Sequence, residues 1–153
     1  MRPIVPPVRQ RGLSLLEALL SVLIFSVGIL ALVALQGISV KATTESKFRA
    51  DAGFLASQLI ARMWTDVTEL EKGKYAHNAG GADCAFGGGP SAYGPVTDWT
   101  ANVAAALPGN DPTMTQIVTA PGNLVTINIC WRPPGHPAGE PPRRYSTVTQ
   151  IVL

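Results

Sequence analysis

Arg11-Gly12-Leu13-Ser14-Leu15-Leu16-Glu17, with the uncharged run Ala18 to Leu35 behind it, decides the fold of this chain. Eighteen consecutive residues without a charge meet the length at which an apolar segment reads as a membrane span. Counted from Leu13 the segment has 23 residues, and Glu17 is its single ionisable side chain. At about 1.5 Å per residue that length crosses a hydrocarbon core of about 30 Å. Upstream stand Arg2, Arg9 and Arg11 and no acid. The positive-inside rule therefore keeps the short N-terminus in the cytoplasm and delivers the rest to the far side.

Two features set the segment apart from a secretory signal. The small-residue cleavage pattern expected behind an apolar signal core is missing, since Gln36-Gly37-Ile38-Ser39 continues a helical pattern. Glu17 is the second feature. A carboxylate inside a bilayer costs on the order of 3 kcal/mol, so it reads first as a functional residue. Local physics offers a plainer alternative, because Ser14-x-x-Glu17 is also a capping box and an acid in a first turn suits the helix dipole.

The complete string is more specific than either feature. A basic leader, Gly12, an apolar residue, and a glutamate five positions beyond the glycine in a long apolar helix resemble the class III signal of type IV pilins and type II secretion pseudopilins. The resemblance covers about the first 36 residues. It implies that a prepilin peptidase cuts between Gly12 and Leu13 and that the new Leu13 amine is N-methylated. It also implies that Glu17 faces the Leu13 ammonium of a neighbouring subunit during assembly. At about 4 Å and an effective dielectric near 20 such a pair is worth on the order of 4 kcal/mol before desolvation is subtracted. In this reading Glu17 is an assembly residue and not a catalytic base.

The implied fold is α+β, the type IV pilin fold. A long N-terminal helix, half transmembrane and half amphipathic, packs against a small antiparallel sheet of three or more strands. The expected divisions are a cytoplasmic leader at 1–12, a transmembrane and assembly helix at 13–36, an amphipathic helix half at 37–72, and a periplasmic globular region at 73–153. Of twelve basic residues three fall in the leader, leaving nine against ten acids, so the net charge of +2 turns to −1 once the leader is gone. That balance gives no nucleic-acid-binding surface. About 115 residues outside the membrane suit one small domain.

Beyond Leu35 the apolar residues Phe48, Ala52, Leu55, Leu59, Met63, Val67 and Leu70 recur at spacings of three and four. They predict one stripe on which the globular region sits, while Arg49, Ser57 and Gln58 fall off it. Asp66 interrupts the pattern. No proline breaks 13–70, so a single helix of about 87 Å is expected. Gly73 suits its C-terminal cap. Residues 76–96 read as a long glycine-rich loop, and a phosphate-binding role is excluded because no strand precedes the glycines and no Lys-Ser/Thr follows them. A short helix from Asp98 to Leu107 is expected, capped by Thr97 or Asp98, with Trp99, Val103 and Leu107 on one face.

Strands are predicted at 113–119, 124–131 and 145–153, the first two joined by the turn Ala120-Pro121-Gly122-Asn123. Val125, Ile127, Ile129 and Trp131 alternate with Thr126, Asn128 and Cys130. The apolar set is expected against the long helix, with Cys130 turned towards the loop that carries Cys84. In an oxidising compartment Cys84 and Cys130 are expected as one disulfide, the alternative being two free thiols. Residues 132–144 hold five prolines, two glycines and three arginines and read as a projecting loop, either a partner-binding tip or a plain solvated connection.

No catalytic set emerges. His77 and His136 are single and read as exposed loop histidines, without a second histidine or cysteine at metal-ligand spacing. Asp111 and Glu140 are too isolated for a calcium site, and no cofactor is called for. The blocks Phe48-Arg49-Ala50, Leu55-Ala56, Arg62-Met63, Asp98-Trp99, Leu107-Pro108-Gly109, Val125-Thr126-Ile127 and Trp131-Arg132 look like minor pilins of the PilV type. That resemblance implies a non-enzymatic subunit of the type IV pilus that helps initiate assembly or forms part of its tip complex. Its partners would be other pilins, the prepilin peptidase, the inner membrane and a tip adhesin. Its place would be the inner membrane in a single pass, then the pilus at the cell surface. A minor pseudopilin of type II secretion is the alternative, and a pilus-borne adhesin or DNA-binding subunit a more distant one.

Overall fold

The structure, a computed structural model, describes residues 13–152, with side chains from Leu15 onward. Helix α1 runs Leu13–Thr65 and is followed by the short helix α2, Val67–Glu71. A two-stranded hairpin comes next, β1 (Gly80–Ala82) and β2 (Ala85–Gly87), and then helix α3, Gly94–Ala106. After a 3₁₀ turn at Pro112–Met114 the chain forms β3 (Thr115–Ala120), β4 (Leu124–Trp131) and β5 (Arg143–Gln150). The last three make one antiparallel sheet in the order β3-β4-β5, without a bulge in either register. The arrangement is α+β: a long N-terminal helix packed against small antiparallel sheets. The chain divides into two compact units, the second beginning at Thr44.

In the second unit the apolar stripe does what its spacing predicts. Ala52, Leu55, Leu59, Met63, Val67 and Leu70 are buried in one cluster with Val125, Ile127, Ile129 and Trp131 of β4, and Phe48 packs at its margin. Strand β4 alternates as expected, with Thr126 and Asn128 half-buried on the other face. The residues Trp99, Val103 and Leu107 complete the core from α3, and the Trp99 indole N–H donates to the Leu55 carbonyl at 2.8 Å. The Ala120–Asn123 turn joins β3 to β4, with Gly122 and Asn123 at positive φ.

Several boundaries differ from the sequence reading. The long helix does not run unbroken to Leu70: it stops at Thr65, and Asp66, at φ −137°, starts a second helix. The cause is tertiary. The Asp66 carboxylate is held by the hydroxyls of Tyr75 and Tyr93, which fixes the backbone there outside a helical bond pattern. Gly73, at φ +74°, does close α2, its N–H donating to the Leu70 carbonyl. The stretch 76–96 is not a structureless loop, since it holds the hairpin and the start of α3. That helix begins at Gly94, with Pro95 in its first turn and no side-chain cap from Thr97 or Asp98. Residues 112–114 form a 3₁₀ turn instead of the head of β3, and β5 starts at Arg143, which shortens the proline-rich loop to 132–142.

The hairpin covers part of the sheet face opposite α1. Its two-residue turn, Asp83-Cys84, has both residues at positive φ, the geometry of a type I′ connection. Gly81 allows the close approach, because a Cβ there would lie 2.4 Å from the Ala85 carbonyl oxygen.

A candidate assembly site on the N-terminal helix

The predicted processing site falls at the edge of the described residues. Gly12 lies outside them, and Leu13 is the first residue of α1. Because Leu13 is already helical, Ser14 lies inside the helix and Glu17 beyond its first turn, which removes the capping-box reading of that pair. Glu17 is exposed on α1, and among the described residues nothing pairs with its carboxylate.

Around Glu17 the helix is apolar on every side. All fourteen Leu, Val, Ile and Phe residues from Leu15 to Leu35 are exposed, Leu19 to 71%. A helix with no polar face is one that belongs in an apolar medium. This one is long and apolar enough to span a membrane. The two hydroxyls between Leu15 and Leu35 are already satisfied within the helix: Ser21 Oγ donates to the Glu17 carbonyl and Ser26 Oγ to the Val22 carbonyl, each at 2.7 Å. Such back-bonding hides hydroxyls that hydrocarbon would leave unpaired. The Glu17 carboxylate is therefore the one strongly polar group that this surface leaves uncompensated among the described residues.

Two further clusters stabilise the second unit. At the end of α1, Tyr75 donates to Asp66 Oδ2 at 2.9 Å and Tyr93 donates to the same oxygen at 2.5 Å, the two rings meeting edge to face at 5.2 Å. Burial, and then the Asp66 carboxylate, push the Tyr75 hydroxyl well above its ordinary pKa. The hydrogen bond to Asp66 does the same for Tyr93. Nearby, Glu69 takes Lys72 at 2.7 Å and Lys74 as a second partner, and these bonds hold its carboxyl below the usual range.

Beneath the hairpin lies a buried amide network. Asn78 Nδ2 donates to the carbonyls of Pro112 and Thr115, at 2.6 and 3.0 Å. Gln116 Nε2 donates to the carbonyls of Asn78 and Gly80, and Asn128 Nδ2 donates to Gln116 Oε1. His77 belongs to this layer. It is 5% exposed, bridges Ile117 by paired backbone bonds, and accepts the Ser91 N–H on Nδ1. The expectation of an exposed loop histidine is therefore wrong for His77. Desolvation lowers its pKa and keeps the imidazole neutral. His136 does lie in the 132–142 loop, half-buried, near the Glu140 carbonyl.

Cys84 and Cys130 are bonded, with Cα atoms 5.8 Å apart, and form a second small cluster with Phe86 and Met114. The bond ties the hairpin turn to the sheet face turned away from α1, as the alternation of β4 implied. The Asp66 node and the Gln116 network were not read from the sequence. Asp66 left a trace as the residue breaking an apolar stripe, whereas Gln116 left none. Among the described residues no group of three or more His, Cys, Asp or Glu side chains is placed to hold a metal ion. Comparison of the chain with known protein families, with curated proteins and with solved structures gives no match in any of the three.

Proposed function

We propose that this chain is a minor pilin, a non-enzymatic subunit of a type IV pilus. In this reading it is cut between Gly12 and Leu13, N-methylated on Leu13, held in the inner membrane by residues 13–36, and then drawn into the fibre with its C-terminal domain outside. The PilV type is the member of the class to which the internal blocks point. The observation that carries the proposal is a helix apolar on all sides, bearing one uncompensated carboxylate at Glu17, that runs on into the amphipathic seat of a disulfide-tied sheet. A fibre subunit needs both parts: one to leave lipid for a bundle of like helices, the other to carry a folded domain outside it.

Glu17 sets register in this proposal. A carboxylate in an apolar phase is costly until it meets a cation, and cleavage creates that cation four residues away in sequence, on the neighbouring chain. Mass spectrometry of the mature protein tests the processing step: a chain beginning with methylated Leu13 is expected, and a chain retaining residues 1–12 refutes it. Glu17→Ala tests the pairing. The variant is expected to be processed as the wild type is and to be lost from sheared fibres. Wild-type incorporation refutes the role of Glu17. Deletion of the whole chain is expected to reduce piliation. Loss of protein secretion with intact pili would instead assign the subunit to a type II secretion machine.

A further inference from the structure

The sheet has two edges, and they differ. Along β3 the outward-facing backbone of Ile117 is already used, exchanging both bonds with His77 at 2.8 and 3.0 Å. Along β5 no strand pairs with the outer side among the described residues. The register says which groups are left. Ile151 donates to the Asn123 carbonyl at 3.0 Å and so continues the β4–β5 register, in which Leu124 faces Gln150. In an antiparallel pair alternate residues turn their N–H and C=O to the same neighbour. The odd-numbered residues of β5 therefore bond β4, and Arg144, Ser146, Val148 and Gln150 direct theirs outward.

Beyond the two arginines at its start, this edge lacks the devices that usually protect one. Strand β5 pairs over eight residues without a bulge and contains no proline or lysine. Its outward-bonding residues are also those whose side chains stand on the sheet face away from α1, where all four are exposed. Val148, 59% exposed, lies in one cross-strand row with Thr126 and Val118. At the other end, Arg143 pairs with Glu45 at 3.1 Å, while Arg144 has no ion-pair partner among the described residues.

We propose that the outer edge of β5 is a docking site for an extended segment of another protein. The segment adds as a fourth strand, antiparallel to β5. It is about seven residues long, apolar where it lies beside Val148, and acidic near its C-terminal end, where it meets Arg144. The charge decides against a second copy of β5. Two copies paired antiparallel through their outward-bonding residues would set Arg144 against Gln150 or Val148, neither of which carries a charge.

The test uses the full chain in detergent micelles and a synthetic amidated peptide of about nine residues, valine alternating with threonine and ending in glutamate. Amide exchange should be fast at Arg144, Ser146, Val148 and Gln150 without peptide and slow with it, while Thr147 and Thr149 stay slow throughout. Val148→Pro removes an N–H that β4 does not use, so it should keep the melting temperature and abolish peptide binding. Arg144→Glu should weaken binding about tenfold, and a peptide ending in lysine should restore it. Should Val148→Pro unfold, the wild-type exchange pattern decides alone. Even-numbered amides already slow without peptide overturn the proposal, as does a peptide that protects none of them. Protection that rises with protein concentration alone identifies a second copy as the occupant and overturns the proposal too.

Discussion

Replacing both Cys84 and Cys130 by alanine removes a tie between residues 46 apart in sequence. The entropy that a cross-link removes from the unfolded chain grows with the logarithm of the loop, and for this loop it amounts to about 4 kcal/mol. Two sulfurs also leave a cluster in which Cys130 is fully buried, which adds roughly 1 kcal/mol for the space between Phe86 and Met114. Release of two positive-φ residues in the hairpin turn returns an amount of about that size. The net loss is about 4 kcal/mol, a large share of the roughly 5–15 kcal/mol that holds a domain together. Urea titration of the full chain in detergent, followed by the fluorescence of buried Trp99 and Trp131, should show the midpoint falling by about 2 M for a slope near 2 kcal/mol per molar. The core between α1 and β4 lies on the opposite sheet face, so amide exchange should quicken more at Ala85, which flanks the hairpin turn, than at Ile127. A midpoint shift under about 0.5 M, or equal quickening at both amides, would refute the reasoning.

Asp66→Ala strips the acceptor from two tyrosine hydroxyls, one of them fully buried, and should cost about 2–4 kcal/mol in the same titration, with Asp66→Asn costing less. Both hydroxyls have pKa values raised in the folded state. Their contribution is therefore complete below the unfolded value of about 10 and is lost as pH climbs beyond it, a loss that alkaline unfolding should show and Asp66→Asn should blunt. His77 has its pKa lowered, so its contribution is complete above about pH 6.5 and disappears as pH falls through the folded value. Its imidazole resonances, followed by NMR, should begin to titrate at lower pH than those of a histidine in a denatured chain.

What the sequence disclosed were the patterns that repeat. The three-and-four spacing from Phe48 to Leu70 and the alternation of β4 each average over several residues, so one exception does not hide them. The cysteine pair was legible because two cysteines fall in a region expected to lie in an oxidising compartment, and β4 alternation puts Cys130 on the far face. The helix break was not, because the hydroxyls that hold Asp66 come from residues 9 and 27 positions away. The hairpin within 76–96 escaped because glycine carries little strand preference, and its pairing depends on a turn and a disulfide. Thr97 and Asp98 look like caps and place the start of α3 too late, although Pro95 is the better start signal. The burial of His77 is not legible locally because it comes from Ile117, forty residues on.

The fourteen uncovered side chains between Leu15 and Leu35 have a thermodynamic consequence. At about 1.5–3 kcal/mol each, taking them out of water releases on the order of 20–40 kcal/mol, more than the whole second unit gains by folding. For the proposed membrane-held subunit, exposure of this helix to water is therefore strongly unfavourable, and the surroundings open to it are acyl chains and other helices. Those two surroundings are equally oily, so moving between them leaves that large quantity almost untouched. The proposed fibre subunit would therefore pass from one to the other and back on small forces, with the Glu17 carboxylate enough to bias the direction.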